Sequence, residues 1–132
     1  MVQAAEVVPV RLLVVEDNRD ICDNIAGYLE KHSYVLDFAY DGISAMYLAL
    51  TQPFDVIVLD VMMPGMDGPE TLKQLRTFPA LADTPVVFMT AKVQPQEVQG
   101  YLNLGALGVI AKPFDPMTLA EQLRAIWRMR FN

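Results

Sequence analysis

The chain has 132 residues, 53% of them hydrophobic, and a net charge of −6 from 16 acidic and 10 basic side chains. This is enough for one domain with a real core, it excludes a chain disordered throughout, and it disfavours a nucleic-acid-binding face, which needs clustered bases. Cys22 is the single cysteine, so no internal disulfide forms and a cytoplasmic setting is expected.

No apolar run approaches the roughly 20 residues of a membrane-spanning helix, so no membrane role is expected. Residues 1–9 carry one acid and no base, unlike a signal peptide. They are expected to form a short flexible tail ahead of a single domain over residues 10–132.

Arg11 to Val15 reads as a buried strand running into Glu16-Asp17. Asn18 is placed to cap a helix in which Ile21, Ile25, Tyr28 and Leu29 share one face. Tyr34 to Ala39 alternates more and reads as a strand near a sheet edge. Asp41-Gly42 starts a helix through Ile43, Met46, Tyr47 and Leu50, stopped by Pro53.

Val56 to Leu59 is a continuous apolar run ending at Asp60. A strand of this kind is buried on both faces of a parallel sheet. Asp67 and Pro69 mark the cap and first turn of a helix carrying Leu72 and Leu75. Residues 79–85 read as a loop, and Val86 to Met89 as a fourth buried strand ending at Thr90. Pro95 opens a helix with Val98, Tyr101 and Leu102 on one face, and Gly105 closes it. Gly108 to Ala111 is a short fifth strand ending at Lys112. Asp115-Pro116 starts the last helix, with Leu119, Leu123, Ile126 and Trp127 as its buried stripe and Arg124, Arg128 and Arg130 towards its C-terminal end.

Regular alternation of five strands with five helices predicts an α/β, doubly wound fold, with right-handed crossovers and helices on both faces of a parallel sheet. In such a sheet the strand ends lie along one edge. Glu16, Asp17, Asp60, Thr90 and Lys112 should therefore converge from positions far apart in sequence. Carboxylates gathered together need a balancing cation, and a hard divalent ion such as Mg²⁺ suits oxygen ligands. With that ion, a carboxylate nucleophile and a lysine could flank a phosphoryl group.

At these residues the chain resembles the receiver domain of two-component response regulators. The matching pieces are Val15-Glu16-Asp17, Leu59-Asp60-Val61-Met62-Met63-Pro64-Gly65-Met66-Asp67-Gly68, Met89-Thr90-Ala91 and Ala111-Lys112-Pro113-Phe114. The resemblance spans roughly residues 10–130 and implies a flavodoxin-like sheet in the order 2-1-3-4-5. It implies that Asp60 is the phosphoacceptor, charged from a phosphohistidine on a histidine kinase or histidine phosphotransfer protein. It further implies that Asp17 binds Mg²⁺ directly, Glu16 largely through water, and Met62 through its backbone carbonyl. Thr90 would be the switch hydroxyl and Lys112 the phosphate-pairing amine, with a cis bond before Pro113.

The implied output is a protein contact on the face of the fourth helix, fifth strand and fifth helix. No direct nucleic-acid contact is expected, and the chain is expected to be a monomer or weak homodimer. Two departures stand out. Val109 occupies the position of the usual switch Tyr or Phe, and Leu107-Gly108 stands where winged-helix transcription regulators of this family usually show two acids.

Taken singly, none of these residues is diagnostic. Asp60 could cap a turn, Glu16-Asp17 could be a solvated helix start, and Thr90 is a common strand residue. Asp67 reads as a cap, His32 as exposed, Cys22 as helix packing, and Met62, Met63 and Met66 as loop packing. Trp127 and Phe131 read as core or crevice packing. The enzyme alternative is a haloacid-dehalogenase-type phosphatase. It needs a second Asp two residues after the first, where this chain has Met62, which transfers no proton. A flavodoxin-like electron carrier needs a phosphate loop after the first strand, and the acids of residues 16–20 oppose one.

Overall fold

Five short apolar runs become the strands of one sheet in the computed structural model, which describes residues 10–115 and 118–129. They are β1 (Val10–Val15), β2 (Tyr34–Ala39), β3 (Val56–Asp60), β4 (Val86–Thr90) and β5 (Gly108–Ala111). All pairings are parallel, and the order is β2-β1-β3-β4-β5. From β1 the chain moves outward to β2 and then crosses back to β3 on the other side. The reversal opens a crevice beyond the carboxyl ends of β1 and β3, where α/β sheets bind ligands.

The helices are α1 (Arg19–Leu29), α2 (Gly42–Thr51), α3 (Gly68–Arg76), α4 (Pro95–Asn103) and α5 (Leu119–Met129). Alternation along each strand feeds two cores. Leu12, Val14, Val58, Val87 and Met89 pack against Ile25 and Leu29 of α1 and Leu119 and Leu123 of α5. Leu13, Val15, Ile57, Leu59 and Phe88 pack against α2, α3 and Tyr101 of α4. Every residue of β3 and β4 is buried, as helices on both faces require, whereas β2 at the edge shows mixed burial.

The helix starts follow local chemistry. Asn18 accepts from the N–H groups of Asp20 and Ile21, Asp41 from Ser44 and Asp67 from Glu70. Gly105 ends α4 with φ 106°, a conformation glycine adopts without penalty. Among the described residues no helix is long and apolar enough to cross a membrane.

Helix packing is settled by the neighbouring layers. In α2 the buried residues are Gly42, Ala45 and Ala49; of the large apolar residues, Met46 packs partly buried against the core and Ile43, Tyr47 and Leu50 face outward. The helix lies too close to its neighbours for large inward side chains: a Cβ on Gly42 would sit 2.4 Å from Thr71 Oγ1 and 2.7 Å from Met66 Cε. In α1, Cys22 is buried in helix packing as expected, and Ile21 and Tyr28 pack half-buried against the core. Leu102 of α4 is exposed, and so is Met62, although Met63 is buried. Residues Pro79–Leu81 form a 3₁₀ turn inside the expected loop, held by the Arg76 guanidinium donating to the Leu81 and Thr84 carbonyls. The proposed tail over residues 1–9, the helix start at Pro116, and Arg130 and Phe131 lie outside the described residues.

Candidate functional site

β1 ends at Val15, and the next N–H, from Glu16, donates to the Ala39 carbonyl at 3.0 Å, carrying the ladder one residue further. That continuation turns the Glu16 side chain into the crevice, where it is 1% exposed. Its Oε2 accepts from the Asn18 N–H at 3.1 Å, and its Oε1 accepts from Lys112 Nζ at 2.6 Å. Asp60, the last residue of β3, is 2% exposed. Its Oδ1 lies 3.1 Å from Lys112 Nζ and accepts from the Met62 N–H at 3.3 Å. Asp17 stands exposed at the rim, yet oxygens of Glu16, Asp17 and Asp60 all lie within 4.8 Å of one another.

Lys112 reaches this cluster from the end of β5. Its N–H donates to the Thr90 carbonyl at 2.9 Å, and its bond to Pro113 is cis. Thr90 ends β4, one residue beyond the Asp60–Met89 register pair, and is buried. Its hydroxyl accepts from the Lys92 N–H at 3.0 Å. The five side chains expected at the strand ends thus lie along one edge, and four of them touch through Lys112 or share the carboxylate cluster. Met62 joins through its backbone N–H, while its side chain is exposed.

Gly68 was not among the expected site residues. A Cβ there would lie 2.5 Å from the Asp60 carbonyl oxygen and 2.8 Å from Val61 Cα. Its own N–H donates to the Val61 carbonyl at 3.0 Å. The start of α3 is therefore seated on the backbone of Asp60. The available signal was a glycine directly after a capping aspartate, at a helical position where glycine is otherwise unfavourable.

The sequence matches the response regulator receiver domain family over residues 12–124. The chain belongs to that family. It is 38% identical over 123 residues to the probable transcriptional regulator ycf29 of Porphyra purpurea, covering 92% of this chain and 58% of that protein. It is 37% identical over 120 residues to the response regulator MprA of a Mycobacterium species (strain KMS), covering 91% and 51%. The chain thus spans about half the length of these curated relatives. Among solved structures, the chemotaxis response regulator CheY4 of Vibrio cholerae superposes with a TM-score of 0.84 at 33% identity, covering 90% of this chain and 99% of that one.

In this receiver the charges are unevenly balanced. Burial raises the Glu16 carboxyl above the usual range and Asp60 adds to the rise, against the Lys112 and Asn18 hydrogen bonds. Burial pulls the Lys112 ammonium down, but its hydrogen bonds to Glu16 and Asp60 outweigh that and hold it above the ordinary lysine value. Among the described residues one ammonium, Lys112, is paired with this cluster of three carboxylates through Glu16 and Asp60, so formally two negative charges stay uncompensated. The donors are all hard oxygens, which fits a divalent cation such as Mg²⁺ far better than a soft metal.

The same imbalance gives a test at the rim. Asp17→Asn should raise the thermal midpoint in chelator by a few degrees, because a like charge is removed. It should also lose most of the Mg²⁺-dependent stabilisation of the wild type. Thermal unfolding with and without Mg²⁺ measures both, and a variant keeping the full Mg²⁺ shift would exclude Asp17 as a ligand.

Proposed function

We propose that this receiver takes a phosphoryl group onto Asp60 from a phosphohistidine of a histidine kinase or histidine phosphotransfer protein. The observation carrying the proposal is the buried Asp60 carboxylate, fixed 3.1 Å from Lys112 Nζ and clustered with the Glu16 and Asp17 carboxylates. An Asp60 oxygen attacks phosphorus, the phosphorus–nitrogen bond breaks, and the imidazole leaves with its electron pair and is then protonated. The Met62 N–H and Lys112 hold Asp60 Oδ1 and so set the carboxylate's orientation. Lys112 also stands where it can neutralise a phosphoryl oxygen.

Glu16, Asp17, Asp60 and the Met62 carbonyl would hold Mg²⁺, which when bound supplies charge neutralisation for the phosphoryl oxygens. The same groups would promote phosphorylation and slow hydrolysis, so the domain acts as a switch and not as an enzyme turning over a separate substrate.

The added charge and acceptors then draw on Thr90. Its hydroxyl, now accepting from Lys92, would turn to donate to the phosphoryl group, shifting a pre-existing equilibrium of the β4–α4 segment. The output would be a protein contact on the α4–β5–α5 face. Support comes from a groove of about 380 Å³ there, lined by Val98, Leu102, Leu107, Val109 and Ile126. The half-buried Val109 replaces the usual aromatic, so the groove itself would have to carry the response. An acidic domain of this kind contacts no nucleic acid directly; within a longer regulator, the same switch would act on an attached output domain.

Intact mass after incubation with acetyl phosphate and Mg²⁺ tests the acceptor. Wild type should gain one phosphoryl adduct, Asp60→Asn none, and a chelator should suppress the reaction. If acetyl phosphate gives no adduct, a phosphohistidine donor is supplied, and failure with both would mark a degenerate receiver. An adduct persisting in Asp60→Asn would assign the wrong acceptor. Thr90→Ala should retain the adduct but lose most of the phosphorylation-dependent chemical-shift change in α4 and β5; a full response would overturn the Thr90 switch.

A further inference from the structure

We propose that the outward face of α2 is a self-association surface, on which a second copy of this chain packs its own α2 antiparallel about a two-fold axis at Tyr47. Ile43 and Tyr47 are each 70% exposed and Leu50 is 45% exposed. They stand at i, i+4 and i+7, one continuous stripe along the helix. Isolated exposed apolar residues need no explanation, but an aligned set of large ones marks an interaction site.

The charge pattern favours another copy of the chain as the occupant. Gly42 to Thr51 contains no charged residue, whereas each of the other four helices carries at least one. At a net charge of −6, two copies meeting through acidic surface repel each other. Across α2 they do so least, since the acid bordering it, Asp41, caps the end of the helix away from Tyr47. The polar residues on the same side also tolerate being covered. The Ser44 hydroxyl already donates to Asp41 Oδ2 at 3.1 Å, and the Thr51 hydroxyl to the Leu48 carbonyl at 3.2 Å. Covering these two hydroxyls therefore strands no donor.

The stripe is also self-complementary. Ile43 and Leu50 lie seven residues apart, nearly in line, and so do Ser44 and Thr51. An antiparallel two-fold sets Ile43 against the partner's Leu50, and Tyr47 against its own copy, as an isologous interface requires. The helix dipoles then oppose, which is favourable. Beside Leu50 the face continues into a groove of about 380 Å³ lined by Pro53, Phe54, Ala80 and Leu81. The partner's Ile43 falls there. The apolar stripe amounts to a few hundred Å² against the roughly 800 Å² per partner of a standard interface, so the dimer is weak and forms only at high concentration.

Sedimentation velocity on the full, unphosphorylated chain tests this independently of any chemistry at Asp60. Wild type should show a sedimentation coefficient that rises with concentration. Tyr47→Glu should weaken the dimer at least about thirtyfold, with circular dichroism and unfolding midpoint unchanged because the side chain is exposed. Ile43→Gln provides a second, milder disruption.

For the register, Tyr47→Cys should oxidise to a disulfide dimer at least about tenfold faster than the exposed control Gln96→Cys, since an axial residue meets itself and Cys22 is buried. A chain monomeric at every concentration overturns the proposal. So does a dimer indifferent to both Tyr47→Glu and Ile43→Gln, which would use another face. Dimerisation appearing only after deletion of residues 1–9 would mean that the chain's own N-terminal segment occupies this face, and would also overturn it.

Discussion

Lys112→Met should lower the unfolding free energy in chelator by about 3 kcal/mol, the low end of the cost of orphaning one side of a buried ion pair. Lys112 bridges Glu16 and Asp60, whose side chains are only 1% and 3% exposed, while its own is 19% exposed. Methionine keeps the length and packing of the side chain and removes only the charge. Two neighbouring buried carboxylates are then left without their cation.

Mg²⁺ should return much of the loss, because it balances the same two groups. The pH dependence has a definite sign. The folded value of Lys112 lies above its unfolded value, so its stabilisation is complete below the ordinary lysine value of about 10.4 and is lost as pH rises through the higher folded value. The Glu16 carboxyl is raised, so on acidification the folded protein takes up that proton before the unfolded chain does, and the orphaned pair is relieved.

The penalty should therefore be largest near neutral pH and shrink towards acid and strong base. Denaturant titration at several pH values, with and without Mg²⁺, measures it. A penalty unchanged on adding Mg²⁺ would mean that Lys112 acts through packing alone.

Gly68→Ala should cost more than about 2 kcal/mol, although alanine is the better helix former by about 1 kcal/mol. Position 68 opens α3, and the added methyl group would meet the Asp60 carbonyl oxygen at 2.5 Å and Val61 Cα at 2.8 Å. Both are backbone atoms at the end of a strand buried along its whole length, so neither can swing aside as a side-chain tip would. Either α3 lifts or Asp60 shifts. Phosphorylation by acetyl phosphate should slow together with the loss of stability.

Gly100→Ala in α4 is the matching control. Nothing lies within 4 Å of its added Cβ, so only the propensity gain remains and stability should rise by up to about 1 kcal/mol. Denaturant titration of the two variants separates them, and a Gly68→Ala protein as stable as wild type would show that α3 does not rest on the Asp60 backbone.

Much of the fold was legible in the chain because its signals are local. Val56 to Leu59 and Val86 to Met89 are unbroken apolar runs, and a strand covered on both faces needs no polar side. Asn18, Asp41 and Asp67 each placed a helix start to within a residue, since a cap is satisfied by N–H groups two or three positions away. The position of the candidate site followed as well. Parallel strands put all their carboxyl ends on one edge, so Glu16, Asp17, Asp60, Thr90 and Lys112 had to meet there once the alternation was recognised.

What the sequence could not decide depends on distances between layers. α2 offers two stripes of helical period, Gly42-Ala45-Ala49 and Ile43-Tyr47-Leu50. Hydrophobicity favours burying the second, yet the first is buried, and at Gly42 Thr71 and Met66 leave no room even for a Cβ. Leu102 is exposed for a related reason: α4 contributes no fully buried residue and reaches its core through the half-buried Tyr101, whose ring lies 5.4 Å from that of Phe88. The seat of Gly68 on Asp60, and the bridging of Glu16 and Asp60 by Lys112, are likewise relations between segments that meet only on folding. Periodicity and capping are written along one stretch of chain and survive without a partner. Clearance and charge pairing are properties of two surfaces at once, so only the assembled tertiary structure determines them.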